Sequence, residues 1–202
     1  MSTLHPRIVG SRSVYRGWNS LDIVTVETPG QHGRYCQLER EVIDHGNAAV
    51  VLAVDPAREV AVLVRQWRAP LIANGADPFL LEACAGIIDP GEEPEETARR
   101  EAEEEIGYRL GAMRKIAIVL PSAGTLTERM HLFVAEVTDD QRTEAGGGNP
   151  HEGEDIEVVE VPLEKLFEQA RRGEIADAKT LILVQQLMLE ALEARLQTRL
   201  ER

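Results

Sequence analysis

Apolar residues fall in short blocks between turn residues, and the period inside each block decides its element. Residues 13 to 28 alternate, with Leu21, Ile23, Val24 and Val26 on the apolar side, which predicts a strand. Pro29-Gly30-Gln31-His32-Gly33 is turn chemistry, and Tyr35 to Ile43 reads as the returning strand of an antiparallel ribbon. Gly46-Asn47 breaks the run. Ala48 to Val54 is apolar throughout, as expected of a buried strand, and Asp55-Pro56 turns the chain into a further strand, Glu59 to Gln66. Shorter strands are predicted at Phe79 to Ala83, Arg114 to Leu120, Met130 to Val137 and Ile156 to Val161. Ala73 to Pro78, Gly86 to Gly91 and the acidic, glycine-rich Glu144 to Asp155 read as loops.

Three stretches have helical character. Pro94 suits the first turn of a helix, where its missing N–H costs nothing, and helix formers fill Glu95 to Ile106. Gly107 suits the left-handed position just past the end. Leu163 to Arg172 is a second helix, stopped by Gly173. Ala178 to about Arg199 is a third, with Leu181, Val184, Leu187, Met188 and Ala191 among its apolar positions. Strands mixed with a few helices predict an α/β or α+β fold.

Composition narrows the function. The 202 residues are enough for one domain, or one domain and a short extra element. Asp and Glu outnumber Lys and Arg 35 to 22, a formal net charge of −13. That field repels nucleic acid, whereas dense carboxylates suit a site that gathers Mg²⁺ or Mn²⁺. Two cysteines, Cys36 and Cys84, make no disulfide framework and read as thiols in a reducing compartment. The first residues lack a signal-peptide pattern and no apolar run is long enough to span a bilayer, so the expected setting is cytoplasmic, without membrane contact.

The candidate chemistry lies between Gly86 and Tyr108. Glu101, Glu104 and Glu105 stand three and four residues apart and share one face of a helix. Alone, such a string is commonly a solvated acidic face. Arg99 and Arg100 immediately before it supply cationic partners. The whole string runs Gly86, five residues, Glu92, seven residues, then Arg100-Glu101-Ala102-Glu103-Glu104-Glu105-Ile106-Gly107-Tyr108. It resembles the box that defines the Nudix hydrolases at every fixed position, with Ala102 and Tyr108 where the family usually has aliphatic residues. No G-x-S-x-G, Walker A or H-E-x-x-H string competes with it.

The resemblance extends over roughly residues 13 to 192 and points to the ADP-ribose and nucleotide-sugar pyrophosphatase group. Within it, Arg40-Glu41-Val42-Ile43-Asp44, Val64-Arg65-Gln66-Trp67-Arg68 and Glu82-Ala83-Cys84-Ala85-Gly86 are similar to the branch that acts on GDP-mannose. The implied fold is an α/β/α Nudix sandwich (residues 46–202) behind a small N-terminal antiparallel β element (residues 1–45), which exchanges between subunits of a homodimer. The implied metal set, for Mg²⁺ or Mn²⁺, is Glu101, Glu104, Glu105, Glu154 and the carbonyl of Ala85, with Arg100 bracing Glu92. Glu152 and Glu128 are rival general bases, Glu128 being also a candidate substrate contact. Trp18, Arg40, Glu41, Arg68 and Lys179 are the other implied substrate contacts. Glu39 stands where the GDP-mannose branch tends to carry lysine, which keeps ADP-ribose open as the alternative substrate. A non-catalytic nucleotide-sugar-binding module is the weaker alternative, because such modules usually lose the box carboxylates that are all present here.

Overall fold

The computed structural model describes residues 5–30, 34–150 and 153–200. The chain forms two compact units, one running to Asn47 and taking in Leu120–Arg129, the other comprising Ala48–Val119 and the chain from Met130 onward.

The first unit is a three-stranded antiparallel sheet of β1 (Arg7–Arg16), β2 (Ser20–Pro29) and β3 (Tyr35–Asp44), in that order. The single strand expected over residues 13–28 is therefore two. Gly17-Trp18-Asn19 turns the chain, with the Gly17 N–H donating to the Asn19 carbonyl at 3.0 Å, and β1 continues back to Arg7. Alternation cannot reveal such a turn when it joins two strands of the same character. The 120–129 segment lies along Ile43, whose N–H donates to the Thr125 carbonyl at 2.9 Å and whose carbonyl accepts from Thr127 N–H at 3.1 Å.

The second unit is built on a seven-stranded mixed sheet. Its central strands are β4 (Ala48–Asp55) and β5 (Val60–Trp67). They pair only from Ala53–Val62 to Asp55–Val60 and then part. Two short strands fill the opening: β6 (Phe79–Glu82) pairs with β5, and β7 (Cys84–Ile87) pairs with β4. Gly86 and Ile87, expected in a loop, thus belong to a strand, because the edge of β4 gives their backbone polar groups partners. A short helix α1 (Ala69–Ala73), not expected from the sequence, ends on the first residue of the Ala73–Pro78 loop. Helix α2 (Pro94–Glu101) follows, then β8 (Met113–Val119) and β9 (Met130–Glu136), the latter parallel to β4. The chain ends in β10 (Glu157–Pro162), α3 (Leu163–Arg172) and α4 (Ala178–Leu200).

The uniformly apolar run in β4 has a simple cause. Ala48, Val50, Leu52 and Val54 face the layer that contains Leu166 of α3 and Leu183 and Val184 of α4. Ala49, Val51 and Ala53 face the opposite layer, with Ala98, Ala102 and Ile106 of the box helix. Helices on both faces make the α/β/α sandwich and leave no polar side for the strand. Among the described residues, no helix is long and apolar enough to cross a membrane. Leu183 is fully buried between α4 and the sheet. Truncating it to alanine is expected to cost about 2–5 kcal/mol, read as a lower urea midpoint at unchanged slope.

Candidate active site

The expected helix over 95–106 changes pitch partway. After Glu101 it widens into a π turn, Ala102–Ile106, and Gly107 ends it at φ 75° with its N–H reaching back to the Ala102 carbonyl. Gly107 has two reasons to be glycine, because a Cβ would also fall 2.2 Å from the Glu144 carbonyl oxygen. In a wider turn the residue four positions on stays in line while the residue three on falls behind. Burial follows that rule. Glu105 is 1% exposed and Glu101 8%, whereas the Glu104 side chain is 39% exposed.

Each carboxylate is held differently. Glu105 Oε2 accepts the Ala85 N–H at 3.0 Å, tying the helix to β7, and the Cys84 thiol lies beside the same side chain. Glu101 lies against the backbone of Gly86, where a Cβ would stand 1.8 Å from its Oε1, so that only glycine fits. The same oxygen accepts from Arg100 Nη1 at 2.7 Å. Arg100 also reaches Glu92 through Nε and Nη2, both at 3.3 Å, and Glu104 at 3.4 Å. Arg100 is therefore the brace to Glu92 and the counter-ion of the helix face together. The glycine-rich loop docks on the end of the π turn: Gly147 N–H donates to the Glu105 carbonyl at 2.9 Å and Gly148 N–H to that of Glu104 at 3.0 Å. Glu154 follows, its Oε2 accepting from Asn149 N–H at 2.8 Å.

Burial sets the electrostatics. It lifts the Glu105 carboxyl from the ordinary 4.5 to about 8, with Glu101 and Glu154 adding repulsion against the downward pull of Cys84 and of the Ala85 N–H. It lifts Glu101 to about 7 even though Arg100 pulls the other way. Burial also pushes the Cys84 thiol up, so the thiol stays protonated. Among the described residues, no three His, Cys, Asp or Glu side chains close around one point as a formed metal cage. Glu101 is turned to Arg100 and Glu105 to the Ala85 amide. The expected donor set nevertheless fits a hard divalent cation: Glu101, Glu104, Glu105, Glu154 and the Ala85 carbonyl would all offer oxygen, and the buried pair is short of positive charge.

The remaining expected residues divide between the units. Arg68 and Lys179 come together on one side chain that sequence reasoning passed over, Glu82. In the sequence it stands in the string Glu82-Ala83-Cys84-Ala85-Gly86, closing the apolar Phe79-Leu80-Leu81, and the sequence alone assigns it no role. Trp18, Arg40, Glu41 and Glu128 belong to the N-terminal unit. Trp18 stands 81% exposed in its turn. Arg40 and Glu41 are neighbours on β3 and project from opposite faces of that sheet. Glu128 is buried, with His45 Nε2 at 3.4 Å from its Oε2. Glu152 lies outside the described residues.

Residues 44–184 match the NUDIX domain family. GDP-mannose pyrophosphatase of Salmonella arizonae is 42% identical over 170 residues, 84% of this chain and 87% of that protein. The enzyme of that name from Cronobacter sakazakii is 39% identical over 191 residues, 94% of this chain and 98% of its own length. In fold, the chain is similar to a crystal structure titled an ADP compounds hydrolase, with a TM-score of 0.70 and 22% identity over 96% of this chain and 98% of that one.

The raised carboxyls have a consequence for the metal-free protein. In the unfolded chain they ionise near 4.5; in the folded chain they keep their protons to about 7 and 8. Folding then takes up protons, so their contribution is fully present below about pH 4.5 and is lost as pH rises through 7 to 8. In chelator, the melting temperature is expected to fall between pH 5 and 8.5, and Glu105→Gln to flatten that fall. Parallel melting curves for the two proteins would refute the assignment.

Proposed function

From the premise that the chain belongs to the Nudix family and is a pyrophosphatase hydrolase of nucleotide sugars, we propose that its substrate is GDP-mannose, hydrolysed to GMP and mannose 1-phosphate. The observation that carries this reading is the match of about 40% identity to GDP-mannose pyrophosphatases over nearly the whole length of both chains. It reaches well beyond the box, into the segments that hold Arg68 and Lys179.

Glu101, Glu105 and the Ala85 carbonyl are the proposed primary ligands of Mg²⁺ or Mn²⁺, with Glu104 and Glu154 on a second ion or acting through water. A divalent cation held by these groups would neutralise charge on the diphosphate and make a bound water more acidic. The chain's own part is to hold the ligands rigid. The Ala85 N–H orients Glu105, and the close approach of Gly86 fixes Glu101. Because the ligands must lose protons to bind, added Mg²⁺ should raise the melting temperature more at pH 8.5 than at pH 6. Glu152 is the proposed general base, as the resemblance to the ADP-ribose and nucleotide-sugar pyrophosphatases implies. Glu128 already has a partner in His45, which suits a structural or substrate-contacting role better.

The N-terminal sheet is the proposed dimerisation element, through which Trp18, Arg40 and Glu41 would serve a second copy's site. Its exposed Ile8, Val14, Tyr15 and Trp18 support a partner surface.

A panel of nucleotide sugars assayed with Mg²⁺ tests the substrate. GDP-mannose is expected to give the highest kcat/KM, and faster turnover of ADP-ribose would overturn the choice of base and sugar while leaving the chemistry. Glu152→Gln is expected to lower kcat by roughly 100-fold or more, and Glu128→Gln to change kcat only a few-fold. The reverse pattern moves the base to Glu128.

A further inference from the structure

Glu82 is a charge in a place where the fold offers little water. It ends the apolar strand β6 and is 2% exposed. Both its oxygens are taken by cations. Arg68 Nε donates to Oε2 at 2.8 Å and Lys179 Nζ donates to Oε1 at 2.6 Å. Lys179 also donates to Asp177 Oδ1 at 2.9 Å. The other Asp177 oxygen accepts the Thr180 N–H at 3.0 Å and the Thr180 hydroxyl, which itself accepts from the Ala83 N–H at 2.7 Å. The network fixes the end of β5, the end of β6 and the start of α4 to one another.

It is electrically balanced, two cations against two carboxylates, but not evenly buried. The Lys179 side chain is 12% exposed and that of Arg68 40%. Among the described residues, Arg68 is bonded through Nε alone, so the two Nη groups of its guanidinium are unspent. A guanidinium anchored at one edge has already lost its side-chain freedom and presents a fork suited to phosphate oxygens.

The register shows which way this faces. Glu82 pairs with Val64 and Cys84 with Val51, and both valines belong to the layer under the box helix. Residues opposite each other on antiparallel strands project to the same side. Glu82 and Cys84 therefore share the side that faces the box helix, two extended residues or about 7 Å apart along the chain.

We propose that Glu82 is a positioning residue of the diphosphate reaction: it presets Arg68 and Lys179, the substrate contacts that the resemblance implies, and leaves the Nη edge of Arg68 free for a substrate phosphate. This rests on the diphosphate-hydrolase reading. Glutamate in this role cannot be replaced by a neutral isostere, and arginine cannot be replaced by lysine, which has no second edge to offer once anchored.

The test is steady-state kinetics with the best nucleotide sugar of the panel for wild type, Glu82→Gln, Arg68→Lys, Arg68→Ala and the Glu82→Gln/Arg68→Ala double variant. Glu82→Gln and Arg68→Lys are each expected to raise KM about tenfold with kcat nearly unchanged, and Mn²⁺ affinity should stay at the wild-type value. The double variant should lose less than the product of the two single losses, since the residues act together. A purely structural Glu82 would lower the melting temperature and leave KM alone. If Glu82→Gln does not fold, Arg68→Lys, a change at a half-exposed side chain, decides. Wild-type KM in either folded variant overturns the positioning role while the hydrolase stands. A wild type that turns over no nucleotide sugar overturns the hydrolase reading and this inference with it.

Discussion

The hydrogen bond from the Ala85 amide to the Glu105 carboxylate joins a helix to a strand through a side chain that is almost wholly removed from water. Burying an acid this deeply is unfavourable unless something compensates the charge. The compensation within the chain is partial: an amide, a thiol and, one turn away at Glu101, the guanidinium of Arg100. The carboxyls consequently sit well above their ordinary range. A site arranged in this way gains from a bound cation, and pairing among its own residues leaves it short of charge.

The architecture around that bond serves it. β4 and β5 part after a short ladder, and β6 and β7 enter the gap, which carries the Glu82–Gly86 segment into the middle of the sheet. Strand pairing then fixes the Ala85 amide and the bare Cα of Gly86 where the box helix can press against them. The π turn keeps Glu101 and Glu105 in line while Glu104 swings outward. Gly107 lets the chain leave the helix sharply enough for the glycine-rich loop to cap it and bring Glu154 within electrostatic reach.

Much of this was legible in the sequence because it is local. The glutamate spacing, the proline at the helix start, the glycine at its end and the two-sided burial of Ala48–Val54 follow from helical or strand periodicity. The Gly17 turn was not legible, since it joins two strands of one pattern. The widening after Glu101 was not either, because α and π turns suit the same helix formers. The Glu82 network was hidden for another reason: Glu82 and Lys179 are 97 residues apart, and only the packing of α4 against the sheet brings them together. In sequence, a glutamate after Leu80-Leu81 looks like a strand ending at water; in the fold it is a buried anchor.

That anchor bears on how an acidic protein handles an anionic substrate. A net charge of −13 repels a diphosphate at long range, yet at physiological salt the repulsion decays over roughly 8 Å. What matters is the set of charges within that distance of the phosphates. In the proposed arrangement Arg68 and Lys179 supply the fixed part and a divalent cation the exchangeable part. Both parts would be held by carboxylates that the fold keeps out of water, Glu82 for Arg68 and Lys179, and Glu101 with Glu105 for the divalent cation. The excess of acid across the chain and the binding of an acid are then compatible, because the buried acids are what hold the positive charge in place.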